Sequence, residues 1–413
     1  MPALSTPGDW SERQGAFTTL SFNRQLGSLE AATDLGYRHS DSVAYFANFA
    51  PSAYSQIRLK SLAFSPRVRY PFSAFGADSL LIGGLEWGDW DYDRRFAASL
   101  NSFDAPGSST SGVQRSWGAY VQYSAQPNPN TKLTLGARRQ RVADHRVATG
   151  FGISDQSQAQ KPHAEEVALN QALTKRWQIY GKLGTSFRAA NVDENGATAT
   201  GDLLKAQTAR HRETGVEYKM PDVKLRVSAY QIDLDNEIYF SPIVVPFGAN
   251  VNLSPTRRGG LELAGQMSIT PTVDLAGSLA YRIAKFRSGV YGGVDVSGRD
   301  VPLVPRQLAS LRLLWRATDR TLFGVTGTFV GHQRYDNDQD NTFPRTMPAY
   351  TLVDVKLSQE SRGWRFSAAA NNVFNKKYFS YGAIDTFGVC GTPTCVYPQP
   401  GRTLFASAEC SFR

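Results

Sequence analysis

The side chains that most often perform catalysis or bind metal ions are few in this sequence and stand far apart. No histidine has a metal-ligand spacing such as His-Glu-x-x-His. The five are His39, His145, His163, His211 and His332. The chain also lacks a Gly-x-Ser-x-Gly nucleophile motif and a phosphate-binding loop. We therefore predict a protein that is not an enzyme, with no catalytic residues, no cofactor and no metal site.

Two of the three cysteines suggest a structural disulfide. Cys390 and Cys395 lie close together in a segment rich in Gly, Thr, Pro and Tyr. Such a pair indicates a loop-closing disulfide in an oxidising compartment, with two unpaired thiols as the alternative. Zinc is disfavoured because two further ligands are absent nearby. Cys410 lies in a predicted strand, where a cysteine behaves as a small hydrophobe.

The elements that must position any functional residue are β-strands, because apolar and polar residues alternate along the chain. For example, Phe323, Val325 and Phe329 fall on one face of a segment and Thr326 and Thr328 on the other. Aromatic residues make up 12% of the chain, although its mean hydropathy is only -0.35. No apolar run approaches the roughly 20 residues of a spanning helix. This combination is typical of a transmembrane β-barrel, in which one face of each strand meets lipid.

Short and long connections alternate along the chain. Tight polar turns are predicted at Leu26-Gly27, Ala74-Phe75, Pro127-Asn130, Thr174-Lys175, Met220-Asp222, Thr270-Thr272, Ala317-Asp319 and Glu360-Arg362. Long connections are predicted at 101–111, 148–160, 189–207, 287–301, 331–345 and 378–400. Outer-membrane barrels have short periplasmic turns and long extracellular loops. A β-propeller is the alternative, but its blade strands are shorter than the segments between these turns.

The predicted fold is all-β, a transmembrane antiparallel β-barrel of about 16–18 strands. Residues 1–14 are expected to be disordered or a partial strand, and residues 15–413 to form the barrel. Met1 to Gly15 contain no export signal. Single-chain bacterial barrels have even strand numbers whereas the turns give an odd count, so either a segment is miscounted or strands are missing at the N-terminus.

Several segments resemble the barrel of TonB-dependent outer-membrane receptors. The most specific is Asn371-Asn-Val-Phe-Asn-Lys-Lys-Tyr378, followed by a Pro-Gly-Arg segment at Pro400, Gly401 and Arg402. Tyr180 to Asn195 contains a Ser-Phe-Arg strand end that is similar to the family's. Three further segments, at 118–138, 213–219 and 230–239, resemble family strands and occur in the family order.

Complete members of this family have 22 barrel strands and an N-terminal plug domain, so the resemblance implies that this chain holds about 16–18 of an expected 22 strands and lacks the plug and the first strands. It also implies an outer-membrane receptor of a Gram-negative bacterium that takes up a scarce ligand, with a ferric siderophore as the first expectation. Passive porin-like conduction, a non-functional receptor fragment and a soluble glycan-binding β-protein are the alternatives. The implied partners are outer-membrane lipid and lipopolysaccharide, the barrel-assembly machinery, and TonB through the plug of a full-length parent. The net charge of +9 is scattered along the chain, so we expect no nucleic-acid partner.

Residue roles follow from the alternation together with the resemblance. Basic and aromatic groups suit an anionic ferric complex, and the ligand-binding candidates are Arg138, Tyr180, Lys182, Arg188, Tyr381 and Phe387. The alternative is that the lumen-facing residues solvate the lumen or pair with plug carboxylates, and that the aromatic residues of the last long connection belong to an aromatic girdle. The assembly and structural candidates are Asn371, Phe374, Tyr378, Pro400, Gly401, Arg402 and Phe412.

Overall fold

The computed structural model describes residues 8–47, 53–74, 76–150, 154–198, 202–243, 248–386, 388 and 390–410. Within these ranges the chain is almost entirely β-strand, with a 3-10 turn at Leu100–Ser102 and a short helix, α1, at Val192–Asn195. The described residues include no helix long and apolar enough to cross a membrane.

The first half of the chain contains strands β1 to β11. Their bounds are β1 Trp10–Leu26, β2 Leu29–Tyr45, β3 Tyr54–Ala74, β4 Ala77–Ala97, β5 Ser108–Asn128, β6 Thr131–Thr149, β7 Ser154–Gln160, β8 His163–Ala172, β9 Trp177–Arg188, β10 Gln207–Lys219 and β11 Val223–Asp235.

The second half contains strands β12 to β24. Their bounds are β12 Ile238–Ser241, β13 Ala249–Asn252, β14 Thr256–Thr270, β15 Val273–Phe286, β16 Val290–Tyr291, β17 Val294–Asp295, β18 Gln307–Thr318, β19 Thr321–Val330, β20 Tyr350–Ser361, β21 Trp364–Asn371, β22 Phe379–Ile384, β23 Thr394–Pro398 and β24 Thr403–Cys410.

The described chain divides into two compact units. The first comprises Met1–Leu169, Leu183–Arg210 and Asp235–Leu253. In this unit each of β1 to β6 pairs antiparallel with the next, and β7 pairs with β6. Strands β12 and β13 form a separate two-stranded hairpin.

The second unit comprises Asn170–Lys182, His211–Leu234 and Ser254–Arg413. Here β11, β14, β15, β18, β19, β20, β21 and β24 pair antiparallel in that order. Two short hairpins, β16–β17 and β22–β23, lie within the long connections. An apolar cluster of Ala284, Phe286, Val296 and Val301 packs where the first of these connections begins.

The strands have one apolar and one polar face, as the alternation predicts. In the first unit Leu85, Trp117 and Val121 are 59%, 62% and 46% exposed on the same face, and Trp87 is paired with Trp117. The predicted tight turns lie where neighbouring strands meet, for example between β18 and β19. These observations confirm the antiparallel fold. Eighteen of the strands that the structure describes belong to extended sheet and six to hairpins, in line with the predicted 16–18.

Two connections and the N-terminus differ from the prediction or extend it. Residues 148–160 were expected to be loop, but Ser154–Gln160 forms β7. The segment is polar on both faces, so it carries no hydrophobic alternation that would reveal a strand. The connection 236–255, which contains β12 and β13, was not predicted. At the N-terminus, β1 begins at Trp10, whereas residues 1–7 lie outside the described ranges.

Candidate functional site

A cavity of about 520 Å³ lies in the first unit and brings together two of the predicted ligand-binding residues, Arg138 and Arg188. It is bounded by β4, β5, β6, β8, the end of β9 and the start of the connection after β9. Its lining consists of Trp90, Gln114, Ser116, Arg138, Gln140, Val142, Ala164, Ser186, Phe187, Arg188, Ala189, Ala190 and Asn191.

Arg138 is held by a carboxylate two strands away. Its Nη1 donates to Glu86 Oε1 at 3.0 Å, its Nη2 donates to Glu86 Oε2, and Nη2 also donates to Gln140 Oε1 at 2.9 Å. Gly118 of β5 is the backbone partner of both Glu86 and Gln140. Because Gly118 has no side chain, Glu86 and Arg138 meet across it. The result is a bidentate pair, the strongest common geometry for arginine and a carboxylate.

Arg188 is held by the connection that follows its own strand. Its Nη1 donates to both carboxylate oxygens of Glu194, at 2.8 and 2.9 Å. Glu194 is fixed in turn by a capping box at the start of α1. Its backbone N–H donates to Asn191 Oδ1 at 2.7 Å, and the Asn191 N–H donates to Glu194 Oε2 at 2.9 Å. The partner of Arg188 therefore belongs to a four-residue helix, not to the sheet.

Buried polar side chains attach this connection to the strands. Gln114 Nε2 donates to Asp144 Oδ1 and to the Ala190 carbonyl, both at 2.7 Å. Arg146, only 5% exposed, donates to the Asn195 carbonyl at 3.0 Å. Each bond satisfies a group that would otherwise be buried without a partner. The bonds to Ala190 and Asn195 thus fix the cavity wall formed by the connection.

Glycine at position 112 gives α1 room to approach the sheet. A Cβ atom on Gly112 would lie 2.8 Å from Val192 Cγ2, closer than real contacts allow. Val192 itself is 5% exposed and anchors the helix. Any larger residue at position 112 would displace α1 and with it Glu194.

The cavity combines paired charges with aromatic surface. Arg138 and Arg188 are both charged and both already bound to a carboxylate, so neither presents an uncompensated charge. The Arg138 guanidinium carbon is 5.9 Å from the Phe187 ring centroid, and Trp90 forms another part of the lining. This arrangement can bind an anion that carries planar groups, if the anion replaces a carboxylate on one arginine.

Tyr180 and Lys182 are not among the cavity-lining residues. Tyr180, in the second unit, donates from its hydroxyl to Glu213 Oε1 at 2.7 Å. The Arg226 guanidinium carbon lies 4.4 Å from the Tyr180 ring centroid, and Arg226 also pairs with Glu213 at 3.1 Å. Lys182 is half-buried on the same strand. Tyr180 thus belongs to a charged cluster of its own.

Tyr381 and Phe387 were predicted from the last long connection. The Tyr381 hydroxyl donates to Asp336 Oδ2 at 2.6 Å, and its ring contacts Tyr397 edge-on at 5.2 Å. Burial and the hydrogen bond to Asp336 raise the pKa of Tyr381. Tyr381 therefore joins two connections of the second unit. Phe387 lies outside the described residues.

Cys390 and Cys395 form a disulfide with 5.6 Å between their Cα atoms. Among the described residues, these cysteines and Asp385 are also the group whose ligand atoms lie close enough to hold a metal ion. Both sulfurs are in the bond, so neither offers a thiolate. The Asp385 carboxylate accepts from the Cys390 N–H at 2.9 Å, which stabilises the loop.

In the C-terminal motif, two asparagines that were not singled out bind the Pro-Gly-Arg segment. Asn372 Nδ2 donates to the Lys376 carbonyl at 2.8 Å and approaches the Pro400 carbonyl at 3.4 Å. Asn375 Oδ1 accepts from the Arg402 N–H at 3.0 Å. Both asparagines have positive φ, 48° and 52°, a conformation that asparagine tolerates well.

The predicted structural residues surround these asparagines. Asn371 is paired with Thr403, and Tyr378 contacts Tyr350 at 4.7 Å between ring centroids. A Cβ on Gly401 would lie 2.6 Å from Asn375 Oδ1, so a larger residue there would displace the Asn375 side chain that accepts from Arg402. Phe374 is 78% exposed and the Arg402 side chain is also exposed. Phe412 lies outside the described residues.

Some cavity residues that the sequence analysis missed had a detectable signal. Glu86 and Trp90 lie on the same face of β4 by alternation, as do Gln114 and Ser116 on β5. Aligning the polar faces of β4 to β6 would have placed them near Arg138. Glu194 had no such signal, since its position depends on how the connection folds.

Comparisons with known proteins agree with this fold. A family model described as TonB dependent receptor-like, beta-barrel matches residues 2–373. The ferric enterobactin receptor of Pseudomonas aeruginosa is 23% identical over 402 residues, which cover 86% of this chain and 51% of that protein. The vitamin B12 transporter BtuB of Vibrio vulnificus is 24% identical over 231 residues, covering 54% of this chain and 34% of that protein. The chain thus spans about half the length, or less, of these relatives.

The matches to solved structures cover more of this chain than the sequence matches do. The siderophore receptor PiuA from Acinetobacter baumannii matches 97% of this chain and 64% of its own, with a TM-score of 0.79 and 13% identity. The ferric yersiniabactin uptake receptor FyuA from Yersinia pestis matches 98% of this chain and 62% of its own, with a TM-score of 0.78 and 16% identity. The family match and the two-faced strands together lead to one conclusion. The chain belongs to the TonB-dependent receptor-like β-barrel family of the Gram-negative outer membrane.

Proposed function

We propose that the cavity of Arg138 and Arg188 binds an anionic ferric siderophore, and that the protein takes this ligand up with energy supplied through TonB. The observation that carries the proposal is the pair of guanidinium groups in one cavity beside Trp90 and Phe187. An anionic complex with aromatic chelating groups would use both features, the charges for affinity and the rings for contact.

The two arginines would respond differently to an anion. The partner of Arg138, Glu86, lies on β4 in the sheet, whereas the partner of Arg188 lies on a four-residue helix. The Arg188 side chain is 45% exposed and that of Arg138 is 34% exposed. A ligand would therefore displace Glu194 from Arg188 more readily than Glu86 from Arg138. Arg138 would then stay paired with Glu86 and present a guanidinium group at a fixed position in the cavity.

The relatives support a ferric ligand. The Pseudomonas aeruginosa relative is named a ferric enterobactin receptor and an Escherichia coli relative a ferrienterobactin receptor. The Vibrio vulnificus relative is named a vitamin B12 transporter. The guanidinium groups favour the anionic ferric complexes among these ligand classes.

Equilibrium binding to the detergent-solubilised chain tests the ligand class. Ferric enterobactin and vitamin B12 are titrated separately into the wild type, Arg188→Gln and Arg138→Gln. We expect ferric enterobactin to bind and Arg188→Gln to weaken it about tenfold, the loss of one charge-assisted contact. Arg24→Gln is the control, because Arg24 is exposed near the tight turn after β1. Preference for vitamin B12, or equal affinities in all variants, would contradict the proposal.

Uptake measurements test the energy requirement. Cells that express the complete reading frame containing this chain are given iron-labelled ferric enterobactin, with and without a functional TonB. Uptake that requires TonB supports the receptor, whereas uptake that is independent of TonB and unsaturable would establish a passive channel instead.

A further inference from the structure

The hairpin β22–β23 ends in a loop where a carboxylate and two sulfurs come close together. Ala383 is paired with Cys395, and the Asp385 N–H donates to the Pro393 carbonyl at 3.0 Å, so the antiparallel ladder continues to Asp385. Side chains along a ladder alternate between its two faces. Asp385 and Cys395 therefore lie on the same face of the hairpin as diagonal neighbours.

The loop brings Cys390 back to the same place. Its backbone N–H donates to Asp385 Oδ2 at 2.9 Å, and its Cα atom lies 5.6 Å from that of Cys395. Gly388 and Gly391 stand on the two sides of Cys390 with φ of 67° and 63°, a backbone region that glycine adopts without steric cost. The ligand atoms of Asp385, Cys390 and Cys395 consequently lie within 4.8 Å of one another. All three residues are half-buried, so small solutes can reach them.

Two sulfurs and one carboxylate form a set of ligands that suits zinc better than a hard cation. Thiolates prefer soft and borderline ions, whereas Mg²⁺ and Ca²⁺ prefer oxygen. The cysteines alone supply two ligands, too few for zinc, and Asp385 adds the third. Zn–S bonds of about 2.3 Å and Zn–O bonds of about 2.0–2.2 Å hold ligand atoms roughly 3.5–4 Å apart around one ion. The three side chains reach this arrangement with small movements, and water can take the fourth tetrahedral position.

We propose that Asp385, Cys390 and Cys395 bind one zinc ion when the disulfide is reduced. The two sulfurs are bonded to each other in this structure, so the site first requires a reductant such as a dithiol. Two electrons and two protons cleave the S–S bond and give two thiols, while the dithiol is oxidised to its own disulfide. Zn²⁺ then replaces the two thiol protons, which pass to solvent.

The loop is thus closed by a covalent bond under oxidising conditions and by a metal ion under reducing ones. Its residues belong to the second unit, so the proposal does not depend on the ligand cavity of the first.

Zinc titration of the detergent-solubilised full chain tests the site. All samples carry Cys410→Ser, which removes the third cysteine as a competing ligand. One portion stays oxidised, and another is reduced with a water-soluble phosphine and desalted without oxygen. Zn²⁺ is titrated in competition with a chromogenic chelator, and Mg²⁺ is titrated separately as the hard cation. Cd²⁺ adds a spectroscopic readout, because its binding to thiolates gives an ultraviolet charge-transfer band.

The variants separate the two kinds of ligand. Cys390→Ser/Cys395→Ser removes both thiolates, and Asp385→Asn removes the charge while keeping an acceptor for the Cys390 N–H. Asp319→Asn is the matched control, because Asp319 is an exposed carboxylate in the tight turn between β18 and β19. Far-UV circular dichroism checks that every sample keeps its β-structure.

We expect the reduced chain to bind one Zn²⁺ ion about a hundredfold more tightly than the oxidised chain, and neither form to bind Mg²⁺. Asp385→Asn should weaken zinc binding by the reduced chain about tenfold, the loss of one anionic ligand, with Asp319→Asn unchanged. The double cysteine variant should bind no better than the oxidised chain. Equal zinc affinity in the reduced and oxidised chains would overturn the site, and so would a Cd²⁺ complex without the thiolate band. Unchanged affinity in Asp385→Asn would overturn the three-ligand assignment.

Discussion

The long connections of the two units differ in whether a cavity remains beside them. In the first unit the connection after β9 is bonded to the strands, through Gln114 and Arg146, and to the β12–β13 connection, through Asn250, and a cavity remains beside it. In the second unit the connections are bonded to one another. Asn341 exchanges hydrogen bonds with Asp300, and Tyr381 donates to Asp336.

The same residue types bond the connections in both units, but a ligand-sized cavity remains beside the connection after β9. Asn, Asp and Gln satisfy buried backbone groups in both units. In the second unit the connection after β15 also contains an apolar cluster in which Val296 is 0% and Phe286 is 2% exposed. In the first unit Gln140 and Asn191 bind the charged pairs of Arg138 and Arg188 at the edge of a cavity. Stability and ligand binding are therefore expected to respond to different substitutions.

The largest expected effect comes from the apolar cluster of the second unit. Phe286→Ala removes the largest of its fully buried side chains and should destabilise the connection after β15 by about 3–5 kcal/mol. Hydrogen exchange of residues 287–306 measures the loss. Val294→Ala is the matched control, because Val294 is 42% exposed, and little change is expected. Equal protection in Phe286→Ala and the wild type would contradict the cluster's role.

Asn341 tests the bonds between two connections. The Asp300 N–H donates to Asn341 Oδ1 at 2.6 Å, and Asn341 Nδ2 donates to the Asp300 carbonyl at 2.9 Å. Its φ is 56°. Asn341→Gly should lose about 1–3 kcal/mol from these bonds, and Asn341→Ala about 1 kcal/mol more, because alanine is strained at positive φ. Limited proteolysis within residues 331–349 ranks the stabilities of the wild type, Asn341→Gly and Asn341→Ala. A glycine variant less stable than the alanine variant would refute this separation.

Glu194 tests whether a carboxylate competes with the ligand in the cavity. Glu194→Gln removes the charge but keeps an acceptor for the capping box. Affinity for ferric enterobactin should rise about fivefold, opposite in sign to Arg188→Gln, since an exposed ion pair contributes up to about 1 kcal/mol. Glu165→Gln is the control with unchanged affinity. Weaker binding by Glu194→Gln would show that Glu194 itself supports the ligand.

The smallest effect concerns Tyr381 and alkaline pH. Its raised pKa means that the folded state favours the protonated phenol. The associated stability is fully present below the ordinary tyrosine pKa of about 10 and is lost as pH rises above it. Tyr381→Phe should cost about 1 kcal/mol at neutral pH and reduce this alkaline loss. Hydrogen exchange of residues 379–384, corrected for intrinsic rates, measures both. The same pH dependence in the variant and the wild type would assign the alkaline loss to another group.

The sequence was most informative where one physical pattern determined the structure. Alternation predicted the strands, because each strand has one face toward an apolar environment. Turn-forming residues predicted the tight turns, because they adopt the backbone conformations that turns need. The same alternation suggested Arg138 and Arg188 as ligand-binding candidates, and both line one cavity. Tyr180 satisfied the same pattern, yet its hydroxyl bonds Glu213. Alternation gives the face of a side chain but not its partners.

The connections were less predictable from sequence. Their structure depends on pairs such as Gln114 with Ala190 that are far apart in the chain. The position of Glu194 also depends on Gly112, which leaves space for Val192. No local pattern connects these residues. The cavity therefore depends on the folded positions of the strands and the connection, which no local sequence pattern gives.

The position of bound iron would show whether the ligand occupies this cavity. Crystals of the chain with ferric enterobactin, measured at the iron absorption edge, would locate the metal by its anomalous scattering. We predict one iron peak in the cavity lined by Trp90, Arg138 and Arg188, with the peak lost in Arg138→Gln/Arg188→Gln. An iron peak away from this cavity, or one that persists in the double variant, would contradict the account.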